Sequence, residues 1–196
     1  MANETSTLKL ANLLFEISSL RKIARTHRAV LLTDDLADNI ATHSFLVSWA
    51  ACLIAKKEKN VNMEKILQMA MLHDAIETRT GDIGWINKRY TKIFEQEAID
   101  EMFGEINDFT TLLEEYNDRK TIEAKIVKDA DKIAQLISLK EYVFAYNNQQ
   151  AKEWLNGVTP EYFDSYFTET GKDLAQKVIH IKVNDWAKGL RTDKGR

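Results

Sequence analysis

Proline is nearly missing from this chain, with Pro160 the one example in 196 residues, and glycine is scarce at seven. So little turn-forming material argues against a barrel or sandwich of many short strands, each of which needs its own turn. Cysteine occurs once, at Cys52, which excludes a disulfide within the chain. In its apolar stretch Cys52 reads as a small buried hydrophobe suited to a reducing compartment. A surplus of basic charge is also missing. The 27 Lys and Arg stand against 30 Asp and Glu, a formal net charge of −3, and no basic stripe offers itself to nucleic acid. No run approaches the ~18–20 uninterrupted apolar residues of a membrane span. The stretch MANETSTLKL has no basic region leading into an apolar core, so no signal peptide is expected and a cytoplasmic location is.

What is present is an ordinary globular composition, 44% hydrophobic and 29% charged, dominated by helix formers. The length fits a single domain, 1–196, with a sizeable core, and the fold class expected is all-α. Apolar spacing predicts helices over about 7–26 (with Ser6 or Thr7 as cap), 41–57, 62 to a turn at Gly81, 91–104, 108–116, 119–147 and 160–190. In the second of these Phe45, Leu46, Trp49, Ala50 and Leu53 are expected to point inward. The last, with Tyr162, Phe163, Tyr166, Phe167, Leu174, Val178, Ile181 and Trp186, is expected to pack on a core spanning about 20–145. His180 reads as structural, and the tail RTDKGR is expected to fray.

The chemistry gathers around Met69-Ala-Met-Leu-His73-Asp74-Ala-Ile-Glu77-Thr-Arg-Thr-Gly81-Asp82. Ile66, Ala70, His73 and Glu77 recur at helical spacing, so an imidazole and the carboxylates of Asp74 and Glu77 crowd onto one turn at the edge of a core-facing helix. Burying a lone carboxylate costs several kcal/mol unless a cation or donors compensate it. The arrangement asks for a metal ion. On the long helix, Ala124, Val127, Asp131, Ala134 and Ser138 share one face, so Asp131 is expected to face the core and Asp129 water. His43, in the first turn of the second helix, completes a set of four: His43, His73, Asp74 and Asp131. Two imidazoles and two carboxylates suit one divalent transition ion, Mn, Co, Fe, Ni or Zn, better than calcium. Arg25, in a cationic group with Arg21, His27 and Arg28, reads either as a solvated helix end or as an anion contact.

Three segments carry a resemblance to a known family. Asp38-Asn-Ile-Ala-Thr-His43-Ser, His73-Asp-Ala-Ile-Glu77-Thr-Arg-Thr-Gly-Asp82 and Val127-Lys-Asp-Ala-Asp131-Lys are similar, in that order, to motifs of the HD-domain phosphohydrolase superfamily. Within it they resemble the 5′-deoxynucleotidase-like branch. Upstream, Leu20-Arg-Lys-Ile-Ala-Arg25 matches the segment where that branch places a phosphate-site arginine. The resemblance implies a helical bundle, commonly a homodimer, that removes phosphate from nucleoside 5′-monophosphates. It implies that His43, His73, Asp74 and Asp131 bind the ion, that Glu77 handles a proton or positions water, that Asp82 lies beside the substrate, and that Arg25 contacts phosphate. Thr42 departs from the pattern, standing where an acid usually precedes the first histidine. Thr26 stands where the nucleotidase has a tryptophan and relatives often have threonine, the 29–38 connector is longer, and Gly84 replaces a proline-containing turn. Two competing readings are a hydrolase of another phosphoester (cyclic or signalling nucleotide) and a non-catalytic, metal-stabilised nucleotide-binding module.

Overall fold

The computed structural model describes residues 2–188 and 190, and among them the chain is all-α, with no strand beyond an isolated antiparallel bridge between Ala24 and Asn39. The first helix, α1, runs Ala2–Ser18 and a tight turn Ser19–Lys22 follows. Ser6 and Thr7 therefore lie within α1 and not at its start. The helix expected over 7–26 stops early, and Arg25 sits in extended chain between that turn and the short α2, His27–Leu31.

Helix α3, Ile40–Ala55, opens on a reciprocal cap: Thr42 N–H donates to the Asn39 side chain at 3.1 Å and Asn39 N–H to the Thr42 hydroxyl at 3.3 Å. That is the local use of the threonine that departs from the family pattern. The inward face differs from the expected one. Ile40, His43, Val47, Ala50, Ala51 and Ile54 are buried, whereas Phe45, Trp49 and Leu53 are exposed. The helix is apolar nearly all round, so phase alone could not choose its buried side. Its small residues let α4 and α9 approach closely.

Helix α4, Met63–Leu72, is capped by Asn62, whose side chain accepts from Lys65 N–H. Short helices α5, Glu77–Thr80, and α6, Trp85–Lys88, lead to α7, Glu95–Phe103, and α8, Asn107–Asp118. Gly81 between α5 and α6 takes φ +71, which an L side chain rarely adopts. Helix α9, Ile122–Tyr146, is the axis of the fold and packs against α3, α4, α8, α10 (Gln149–Asn156) and α11 (Glu169–His180). Ile126, Val127, Ile133 and Leu136 of α9 are sealed in the core with Ile66, Met69 and Phe103, each such side chain contributing about 1.5–3 kcal/mol by burial.

Because α9 is enclosed on several sides, one expectation fails. Asp129 does not face water but is 0% exposed. Its carboxylate accepts from Phe167 N–H at 2.9 Å, Thr168 N–H at 2.8 Å and the Thr168 hydroxyl at 2.8 Å. Thr168 in turn caps α11 by accepting from Gly171 N–H at 2.9 Å. At the other end of α11, Lys140 of α9 donates to the carbonyls of Val178 at 2.6 Å, Ile179 at 2.7 Å and Ile181.

The C-terminal segment is also not one helix over 160–190. It divides into a tight helical turn at Pro160–Ser165, then α11, then α12, Asp185–Lys188. Phe163 and Tyr166 are core, while Phe167, Ile181 and Trp186 are exposed and His180 lies on the surface at the end of α11. Cys52 is half-buried. Residues 191–196, the expected frayed tail, lie outside the described residues. Among those described, no helix is long and apolar enough to cross a membrane.

Candidate active site

The regular hydrogen bonds of α4 end with His73 N–H to Met69 at 3.0 Å; beyond it, Ala75 bonds back three residues to Leu72 and Glu77 to Asp74. A continuing α-helix would set the neighbours His73 and Asp74 about 100° apart. At this break they converge instead, with His73 Nε2 3.1 Å from Asp74 Oδ2. The His73 ring is oriented from behind, its Nδ1–H donating to the Ala70 carbonyl at 2.8 Å. In the neutral ring this leaves the Nε2 lone pair free. His43 brings Nε2 to 3.5 Å from Asp74 Oδ2 and 3.2 Å from Asp131 Oδ1.

Both Nε2 atoms are buried and neither makes a hydrogen bond. One ligand atom each from His43, His73 and Asp74 lies within 4.8 Å of the others. Buried imidazole nitrogens without a hydrogen-bonding partner, aimed at carboxylates, are the donor set a transition ion takes. Asp131 contributes the oxygen beside His43, while its other oxygen receives Lys128 Nζ at 2.7 Å and the Tyr116 hydroxyl at 3.5 Å. Burial opposes ionisation of Asp74, but the two imidazoles, His73 foremost, more than offset it and hold its pKa at about 2.

Glu77 behaves oppositely. Burial first, then the charges of Asp74 and Asp82, push its carboxyl up to about 9 in the protein alone, and its Oε2 is buried without a partner. A bound cation would favour the ionised form again.

Arg25, 7% exposed, reaches Asp74 Oδ2 with Nη1 at 3.2 Å and Asp82 Oδ2 with Nε at 3.6 Å. The same Asp82 oxygen accepts from Thr26 N–H at 2.8 Å, and the Thr26 hydroxyl donates to the Asp82 carbonyl. A Cβ at Gly84 would fall 2.5 Å from the Thr26 methyl. Threonine at 26 and glycine at 84 thus fit each other and bind the Arg25 segment to the Asp82 loop. A cleft of about 840 Å³ opens here. Arg25, His73, Asp74, Glu77, Asp82 and Asp131 all line it; His43 stands behind. Lys128 lines it too, whereas Arg28 does not.

Sequence reasoning missed a support for this wall. Asp38 Oδ2 accepts from the Tyr142 hydroxyl at 2.8 Å and lies 2.6 Å from His27 Nε2, while its carbonyl accepts from Arg25 N–H at 3.3 Å. Tyr142 lies three helical turns beyond Asp131, hence on the same face, but nothing local ties it to a residue 104 positions earlier. Burial raises the Asp38 pKa, but the His27 and Tyr142 contacts more than offset this and leave it lowered. Stability from a lowered carboxyl is present above its unfolded pKa and lost as pH falls through the folded one. Tyr142→Phe is therefore expected to cost about 1–2 kcal/mol at pH 6–7. The difference from wild type should shrink below about pH 4; thermal unfolding at the two pH values checks it.

The comparisons with known proteins agree with this geometry. An HD-domain family model matches residues 17–165. The 5′-deoxynucleotidase YfbR of Shigella boydii is 32% identical over 149 residues, covering 66% of this chain and 73% of that protein. Among solved structures, a Pyrococcus horikoshii protein superposes with a TM-score of 0.72 at 22% identity, covering 86% of this chain and 97% of the other. A Magnetospirillum magnetotacticum protein described as a predicted metal-dependent phosphohydrolase gives 0.65 at 19% identity, covering 88% and 93%. With its H…HD…D residues drawn together from α3, the end of α4 and α9, the chain belongs to the HD-domain phosphohydrolase superfamily, in its 5′-deoxynucleotidase-like branch.

Proposed function

We propose that this protein is a metal-dependent phosphomonoesterase that releases phosphate from ribo- or deoxyribonucleoside 5′-monophosphates. The observation that carries the reading is the pair of buried Nε2 atoms without hydrogen bonds, His43 and His73, facing Asp74 and Asp131 beside a cleft that also holds Arg25 and Glu77. The relatives named 5′-deoxynucleotidase support the substrate class.

His43, His73, Asp74 and Asp131 would hold one divalent ion of the Mn, Co, Fe, Ni or Zn group. When bound, such an ion polarises a phosphoryl oxygen and lowers the pKa of the attacking water. Arg25 keeps its charge through Asp74 and Asp82, and its N–H groups not spent on them offset charge on the non-bridging oxygens. Lys128 holds Asp131 in place and adds positive charge on the same side. Glu77, with an oxygen committed to no protein group, orients the water and takes its proton. Asp82 acts first as the anchor that sets Arg25, and beside the substrate second. The family resemblance implies a homodimer.

Purified protein is expected to carry about one transition ion per chain, and to release phosphate from nucleoside 5′-monophosphates when supplied with Mn or Co. Metal analysis alongside a phosphate-release panel checks both. An ion without turnover on any member would favour the binding module; neither an ion nor turnover would remove the site.

A further inference from the structure

The cleft continues past the ion site along α9. Asp131, Gln135 and Leu139 are spaced by four residues, so they climb one face of the helix at about 6 Å per step, and all three line the cleft. The wall changes character along this row. It is ionic at Asp131 and apolar at Leu139, where Trp154 of α10 packs in a cluster with Leu139, Leu31, Ala151 and Tyr142 and itself borders the cleft. Gln135 stands between the two ends, exposed.

We propose that this end of the cleft is a nucleobase subsite, with Trp154 as the stacking surface and the Gln135 amide as the reader of the base edge. The inference rests on the nucleotidase reading. A row about 12 Å long, from Asp131 to Leu139, matches the reach of a nucleotide from its phosphate to the far side of its base. An indole stacks on any base. An amide instead offers a donor and an acceptor side by side, which the N6 and N7 atoms of adenine pair with in two bonds. Trp85 also borders the cleft, but it is exposed and sits on the short α6. Trp154 is half-buried and held by packed neighbours, so its ring plane is set before a ligand arrives.

The test compares wild type with Trp154→Ala, Trp154→Phe and Gln135→Ala. Substrates are nucleoside 5′-monophosphates of four bases and deoxyribose 5-phosphate, which keeps the sugar and phosphate but has no base. Trp154→Ala is expected to raise KM about tenfold or more for every nucleotide, leaving kcat and the KM for deoxyribose 5-phosphate in place, and Trp154→Phe to restore the nucleotide KM. Gln135→Ala is expected to narrow the spread among bases, adenine losing most. If either alanine variant changes nucleotides and deoxyribose 5-phosphate alike, or changes neither, the subsite is refuted. Wild type using deoxyribose 5-phosphate as well as any nucleotide would also refute it, while leaving the phosphomonoesterase reading intact. No phosphate released from any of these substrates would take down both.

Discussion

Replacing Glu77 by glutamine should lower kcat for phosphate release by about 10³-fold, with the bound ion and the fold retained. Glutamine keeps the shape and one acceptor oxygen, so what is lost is the capacity to take a proton. Metal content measured on the same preparation separates this from loss of the ion. The variant carries a second, independent expectation. In the protein without a cation the Glu77 carboxyl titrates at about 9 because of burial and the nearby Asp74 and Asp82 charges. It is therefore protonated at neutral pH in the folded protein but ionised once unfolded, and glutamine has no proton to take up on folding. The thermal midpoint of ion-free protein should thus rise above wild type at pH 7, and the gap should close below about pH 4. A fall in kcat of less than about tenfold would show that another group handles the proton.

The largest stability effect is expected outside the cleft, at Asp129→Ala. The side chain meets three donors at the start of α11, and removing it strands the buried Thr168 N–H and hydroxyl and takes a partner from the part-buried Phe167 N–H. A cost of about 3 kcal/mol follows from leaving such groups unsatisfied. At roughly 2–4 °C per kcal/mol for a chain of this size, the midpoint should drop by about 6–12 °C. Gly171→Ala should act in the same direction, since its new Cβ would lie 2.5 Å from an Asp129 oxygen and 2.8 Å from the Thr168 hydroxyl. A thermal melt showing both variants within about 2 °C of wild type would refute this account.

The site was legible in the sequence where polarity contradicted its surroundings. His43, His73, Asp74 and Asp131 each interrupt an apolar helical pattern, and the structure draws them together. Helical phase failed where it had no single answer. Around α9 nearly every side is covered, so the side assigned to water, which held Asp129, was the side under α11. Along α3 the residues are apolar in all directions, and the face of Ile40, Val47, Ala50, Ala51 and Ile54, not that of Phe45, Trp49 and Leu53, went inward. The break of the C-terminal segment had a readable sign in Thr168, whose hydroxyl caps α11. The link of Asp38 with His27 and Tyr142 had none, because it exists only once α9 is in place.

Helix α11 meets opposite charges from α9 at its two ends, Asp129 at the start and Lys140 at the finish. Each sign suits the partial charge of the helix end it touches. Sliding α11 by one turn either way would part both contacts at once, so the pair admits a single register. Asp131 lies two residues from Asp129 on the same helix. The C-terminal segment therefore serves as the gauge that fixes how far along the axis of α9 the Asp131 carboxylate stands.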